Sequence, residues 1–166
     1  MAASWLSRPA GAPMIDRTRP QVLFVCLGNI CRSPTAEAVF RKLAAEAGLP
    51  VDVDSAGTGA WHAGAAPDAR ASAAAAARGY SLDGITARRV APADFTRFDL
   101  ILAMDRDNLS VLRRMMPEAS RAEVRLLIDE GRRGREVPDP WITGRFGEAL
   151  DLIEAACRRL VTRMGG

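Results

Sequence analysis

The chain is poor in the residues that most often bind metal or staple a fold. Its 166 residues hold one histidine and three cysteines. A structural zinc site needs four ligands, usually in paired short spacings. Cys26, Cys31, Cys157 and His62 do not form that pattern. An odd cysteine count, without an apolar h-region in the first twenty residues, argues against a disulfide framework and a secretory signal. No apolar run approaches the ~20 residues needed to span a bilayer. Lysine is nearly absent too: Lys42 is the only one, and the other basic residues are arginines. The net charge of +3 is too small to point to nucleic acid, and no aromatic residues interleave with a basic stripe. These absences lead us to expect a cytoplasmic protein, with no membrane, nucleic acid, metal or other cofactor involved.

What remains is of ordinary composition, 48% apolar and 26% charged, and long enough for one domain with its own core. Residues 1–19 are rich in Ala, Pro, Arg and Ser without periodicity. They are expected to be a disordered leader, with Met14 as good a start as Met1. The folded domain is expected over residues 20–166. Gln21–Cys26 reads as a buried strand from its continuous apolar run. Ser33 as N-cap and Pro34 as first helical residue predict a helix to about Ala47, ended by Gly48. Val51–Ser55 alternates as a second strand. A glycine-containing loop, 56–66, carries Trp61 and His62. Pro67 and Asp68 start an alanine-rich helix ending near Gly79. A short helix is expected around Pro92–Arg97, and Asp99–Met104 is a third strand. Asp105 caps a helix over Arg106–Met116. Glu123–Ile128 is a fourth strand, and Asp129–Pro140 is a polar loop. Gly147–Met164 has apolar residues at helical spacing. Strands interleaved with helices imply a doubly wound parallel α/β sheet, whose ligands bind at the carboxyl ends of the strands.

The first strand ends at Cys26, where that rule places a site. Cys26-Leu-Gly-Asn-Ile-Cys-Arg-Ser33 then leads into a helix. A loop that ends on a helix start offers backbone N–H groups and a positive dipole end to an anion. Both that helix start and Arg32 favour the thiolate form of the Cys26 side chain. Arg32 can also clamp two phosphate oxygens with its planar fork. Gly28 permits unusual backbone geometry, and Asn29 tolerates positive φ better than most residues. Cys26 alone would read as a core cysteine. With Gly28, Asn29, Arg32 and Ser33 at these spacings it reads as a nucleophile under an anion pocket. Such a nucleophile, displacing a phenolate, needs a proton donor. Asp139, between Pro138 and Pro140, is the best candidate, because two prolines fix where its carboxyl points.

The segments Val25–Pro34, Asp54–Thr58 and Val137–Trp141, in this order, closely resemble the low molecular weight protein tyrosine phosphatases. Trp61-His62-Ala-Gly64 and Pro67-Asp-Ala-Arg70 resemble bacterial members. The likeness runs from Pro20 to the C-terminus. The fold expected is a single α/β domain, its four-stranded parallel sheet in the order 2-1-3-4 with helices on both faces. The resemblance implies Cys26 as nucleophile, Arg32 as phosphate clamp, Ser33 as a support for the sulfur and Asp139 as general acid, then base. Leu27, Gly28, Asn29, Ile30 and Cys31 would form the phosphate loop, and Ser55 would brace it. Ile30, Trp61 and Trp141 match walls of the cleft. It also implies tyrosine-phosphorylated proteins as substrates, a bacterial tyrosine kinase among them, with export to a host cell as another course in the family. A monomer is the expected state. Cys31 is a resolving thiol for Cys26 or a packed cysteine, and the two stay open. Cys157 reads as core, and His62 as a cleft or surface residue rather than a base.

The chain also departs from the family. Trp141 and Ile142 stand where tyrosines are common, and Arg78 where many members have histidine. The arginine run 132–135 could attract acidic phosphoproteins, though most such runs are solvated. Arsenate reductases on this fold need further cysteines mid-chain, and none lies between Cys31 and Cys157. Protein-arginine phosphatases resemble this chain but carry threonine where Ile30 stands. A catalytically idle phosphopeptide-binding module is the reading from another class.

Overall fold

The computed structural model describes residues 19–129 and 134–165. The leader expected over 1–19 therefore lies almost wholly outside the described residues, as does part of the arginine run. Four strands, β1 (Gln21–Cys26), β2 (Asp52–Gly57), β3 (Leu100–Ala103) and β4 (Glu123–Leu126), form one sheet. Its order is β2-β1-β3-β4 and every pair is parallel. The helices are α1 (Arg32–Glu46), α2 (Ala69–Ala76), α3 (Asp94–Arg97), α4 (Arg106–Met115), α5 (Pro140–Thr143) and α6 (Phe146–Gly165). No helix among the described residues is long and apolar enough to cross a membrane.

β1 is central, so both its faces are covered and its apolar run is unbroken. Val22 and Phe24 face a core shared with α1, α2 and α6, through Val39, Phe40, Ala75 and Ile153. Leu23 and Val25 face the other core, with Phe95, Phe98, Leu109 and Leu112. Helices thus cover both faces, and each fully buried large side chain contributes roughly 1.5–3 kcal/mol. The chain leaves β1 toward β2 on one side and reaches β3 on the other. That reversal opens a crevice at the carboxyl end of β1, where Cys26 stands.

Several boundaries differ from the sequence expectation. α1 begins at Arg32, with Cys31 in the cap position and no side-chain cap. Ser33 is therefore not the N-cap; its hydroxyl turns to the sulfur of Cys26 and the carbonyl of Ala56. α2 stops at Ala76, because the Arg78 and Gly79 amides bond three residues back and tighten the chain into a turn. Gly79, at φ +86°, then reverses it. β2 runs two residues further than expected, to Gly57, and β4 ends two residues earlier, at Leu126. α5 was not foreseen; one turn forms because Asp139 caps it and Pro140 presets its first residue.

Candidate active site

The carboxyl end of β1 holds a cavity of about 240 Å³ lined by Cys26, Leu27, Gly28, Ile30, Cys31, Arg32, Trp61, His62, Asp139 and Trp141. Nine of these are residues that the sequence put forward for the site, and His62 joins them as a cleft residue. Asn29, Ser33 and Ser55 are buried beneath the loop instead.

At the floor, the Asn29 amide donates to the Cys26 sulfur at 3.3 Å. The Ser33 hydroxyl lies 3.0 Å from the same sulfur. Its oxygen accepts from Asn29 Nδ2 at 2.8 Å, and its one proton has the sulfur and the Ala56 carbonyl, at 3.3 Å, within reach. The Asn29 amide and the Ser33 hydroxyl thus converge on one sulfur. Asn29 has φ +58°, the only left-handed non-glycine residue described. Its side chain is fully used: Nδ2 also donates to Ser55 at 3.0 Å, and Oδ1 accepts the Arg88 amide at 2.9 Å. Gly28 is not left-handed. Its lack of a side chain matters for space, since a Cβ there would sit 3.0 Å from the His62 ring.

Arg32 is 97% buried, with its Nη1 on Asp105 at 2.7 Å and on the Val137 carbonyl at 3.0 Å. Burial works against its charge, but Cys26 and the carboxylates of Asp105 and Asp139 more than offset that and raise it above the ordinary guanidinium value. Asp105 therefore does two tasks. One oxygen caps α4 through the Asn108 amide, and the other aims Arg32 into the cavity. Asp139 Oδ2 lies 3.6 Å from Arg32 Nη2, while Oδ1 accepts the Trp141 amide at 3.1 Å. The loop that carries Asp139 is tied to the sheet by the Val137 amide, which donates to the Met104 carbonyl.

Behind the loop runs a further set of groups. Glu37, buried on α1, accepts from Ser55 at 2.6 Å and pairs with Arg41 at 2.6 Å. Arg88 is held by Asp94 through two bonds and by Asp54. Burial opposes its charge, but Asp94 and Asp54 raise it above the ordinary value. Support for the loop thus comes from Arg88, and Arg78 points to Asp151 and Glu154 on α6 instead. Sequence reasoning missed Asp105, Glu37 and Arg88 in these roles. Ser33, Glu37 and Arg41 are four apart on one helix face, which was a usable signal. Cys31 is held as a thiol: burial, then Asp68 and Cys26, push it up to about 12. Cys157 is fully buried against the Ala36 carbonyl, and burial raises it as well. No group of three or more His, Cys, Asp or Glu among the described residues could hold a metal ion.

A family model described as low molecular weight phosphotyrosine protein phosphatase matches residues 21–165. The chain belongs to that family. The low molecular weight protein-tyrosine-phosphatase of Streptomyces coelicolor is 48% identical over 150 residues, covering 85% of this chain and 91% of its own. YfkJ of Bacillus subtilis, named a low molecular weight protein-tyrosine-phosphatase, is 45% identical over 144 residues, 84% of this chain and 92% of its own. The crystal structure of YfkJ superposes with a TM-score of 0.79, covering 86% of this chain and 92% of that one. At 34% identity, a Drosophila arginine phosphatase structure has a TM-score of 0.79 over 85% of this chain and 95% of its own. The phosphatase fold and its activity on phosphotyrosine thus accompany the loop geometry, and tyrosine-phosphorylated proteins are the substrate class.

Proposed function

We propose that this phosphatase works by two in-line displacements at Cys26. The Cys26 thiolate attacks phosphorus, forming an S–P bond as the P–O bond to the phenol breaks. Asp139 gives its proton to the departing phenolate oxygen. Water then attacks the cysteinyl phosphate, Asp139 takes a proton from it, and the S–P bond breaks to release inorganic phosphate and the thiolate. Arg32 holds two non-bridging oxygens in both steps, with Asp105 fixing its plane. Ser33 and the Asn29 amide stabilise the sulfur as leaving group in the second step.

The observation that carries this reading is the convergence on one cavity of Cys26 with its two donors, Arg32, and Asp139 3.6 Å from Arg32. Ile30 supports an aryl ester over phosphoarginine, because it adds an apolar wall to the cavity. As part of the same proposal, a bacterial tyrosine kinase is the protein substrate to test first, and the enzyme acts as a monomer. Turnover of an aryl phosphate by Cys26→Ser should be undetectable. Asp139→Ala should lower phosphotyrosine hydrolysis ~10²–10⁴-fold while phosphate still inhibits. Activity surviving in Cys26→Ser, or an unchanged rate in Asp139→Ala, would overturn the mechanism. A Kinetic preference for phosphoarginine over phosphotyrosine would overturn the substrate assignment.

A further inference from the structure

The phosphate loop is gripped by the sheet and by α1, but the acid loop has fewer anchors. Upstream of Asp139 it is pinned by Val137. Downstream comes the single turn α5, in which Pro140 is buried and Trp141 is half exposed. Two side chains meet the Trp141 ring: His62, with ring centroids 6.0 Å apart, and Arg70. Its guanidinium lies 5.3 Å from the centre of the Trp141 ring and 4.7 Å from that of Phe146. Phe146 opens α6 and packs on the main core. Arg70 is itself oriented by Asp68, through Nε at 3.3 Å and Nη2 at 3.1 Å. The Asp68 amide donates to the Ile30 carbonyl of the phosphate loop at 2.8 Å.

An ion pair with one exposed partner, such as Arg70–Asp68, adds little to stability. A planar cation against two rings, however, is a geometric gauge between them. We propose that Arg70 is a positioning residue, which sets the distance between the phosphate loop and the proton donor Asp139. The link to Asp139 is direct. Its carboxyl accepts the backbone N–H of Trp141, so a shift of the Trp141 backbone carries the carboxyl with it. Loss of Arg70 leaves the ring with His62 alone and lets the α5 turn shift, and the carboxyl then drifts from the leaving oxygen while Cys26 and Arg32 stay in place. This rests on the reading of Asp139 as the acid.

The defect should depend on how much the leaving group needs a proton. Phenyl phosphate needs one, whereas 2,4-dinitrophenyl phosphate leaves well without it. We expect Arg70→Ala to lower kcat/KM for phenyl phosphate about tenfold, with a much smaller loss on the dinitrophenyl ester. Inhibition by inorganic phosphate should stay within about twofold, since the anion pocket is intact. Arg70→Lys, which keeps a cation but loses the planar fork, should recover only part of the loss. Phe146→Leu, which removes one ring and leaves Asp68 untouched, should show the same selective loss if Arg70→Ala does not fold. Asp139→Ala is measured alongside on both esters. Selective loss in Asp139→Ala but equal losses, or none, in Arg70→Ala would overturn the role of Arg70 alone. Equal losses on both esters in Asp139→Ala would overturn Asp139 as the acid, and this inference with it.

Discussion

Asn29 bears more of the site than its size suggests. It holds a left-handed backbone at φ +58° and spends three side-chain hydrogen bonds on Ser33, Ser55 and Arg88. The left-handed conformation costs an ordinary L-residue roughly 1–2 kcal/mol, and asparagine less than most. The side-chain bonds are buried, so losing them leaves Ser55 and Arg88 with partners missing. The two contributions separate in a pair of variants. Asn29→Gly keeps the backbone but loses the bonds; Asn29→Ala loses both. Urea denaturation should place Asn29→Ala about 1 kcal/mol below Asn29→Gly. Both should turn over an aryl phosphate at least about tenfold slower than the parent, because Ser33 is no longer aimed at the sulfur. Equal stability of the two would show that φ +58° costs nothing here.

The loop depends equally on the strand beside it. β2 ends at Gly57, paired with Cys26, and the next two amides bond to the carbonyls of Cys26 and Leu27. A Cβ on Gly57 would stand 2.7 Å from the Leu27 carbonyl oxygen and 3.2 Å from the Asn29 nitrogen. Both are backbone atoms, which cannot swing aside. Gly57→Ala should therefore shift the phosphate loop as a unit. Thermal unfolding should show a loss of about 1–3 kcal/mol, and kcat/KM should fall about tenfold or more. A parent-like rate would mean that the loop adapts. The closeness of these elements also shows what could be read from the chain. The apolar run of β1, the octapeptide after it and the Pro-Asp-Pro turn are local patterns, and the Cys26, Arg32 and Asp139 they point to line one cavity. Asp105 holds Arg32 from 73 residues away, and Arg88 meets Asn29 from 59. Those pairings exist only once the sheet order brings β3 and the 80–98 segment beside β1. Ser33 was misread for a related reason: its local preference for a cap is weaker than the claim of a buried sulfur on its proton.

For the whole molecule, the sheet divides the core in two, and the ionisable groups that report on its integrity sit on the α1–α6 side. Tyr80 is buried there and donates to the Glu154 carboxylate on α6. Burial, then that hydrogen bond and the Glu154 charge, push its hydroxyl up from an ordinary value near 10 to about 12. Cys31, pushed from near 9 to about 12, behaves alike. In both, the fold favours the protonated form, so their contribution is fully present below the ordinary values. Above about pH 9 the unfolded chain begins to lose protons that the native chain keeps, and stability falls until about pH 12. Asp68 has the opposite sign. Burial alone would raise it, but its bonds from Arg70 and Ala71 win and lower it, so its contribution is lost as pH falls below the ordinary carboxylate value. Urea midpoints measured from pH 8 to pH 11.5 should therefore decline steadily. Tyr80→Phe should be less stable at pH 8 by about 1 kcal/mol, for the lost hydrogen bond, and should decline less steeply above pH 10. A slope equal to that of the parent would remove Tyr80 as a source of the alkaline instability, and Cys31→Ser would then carry the test.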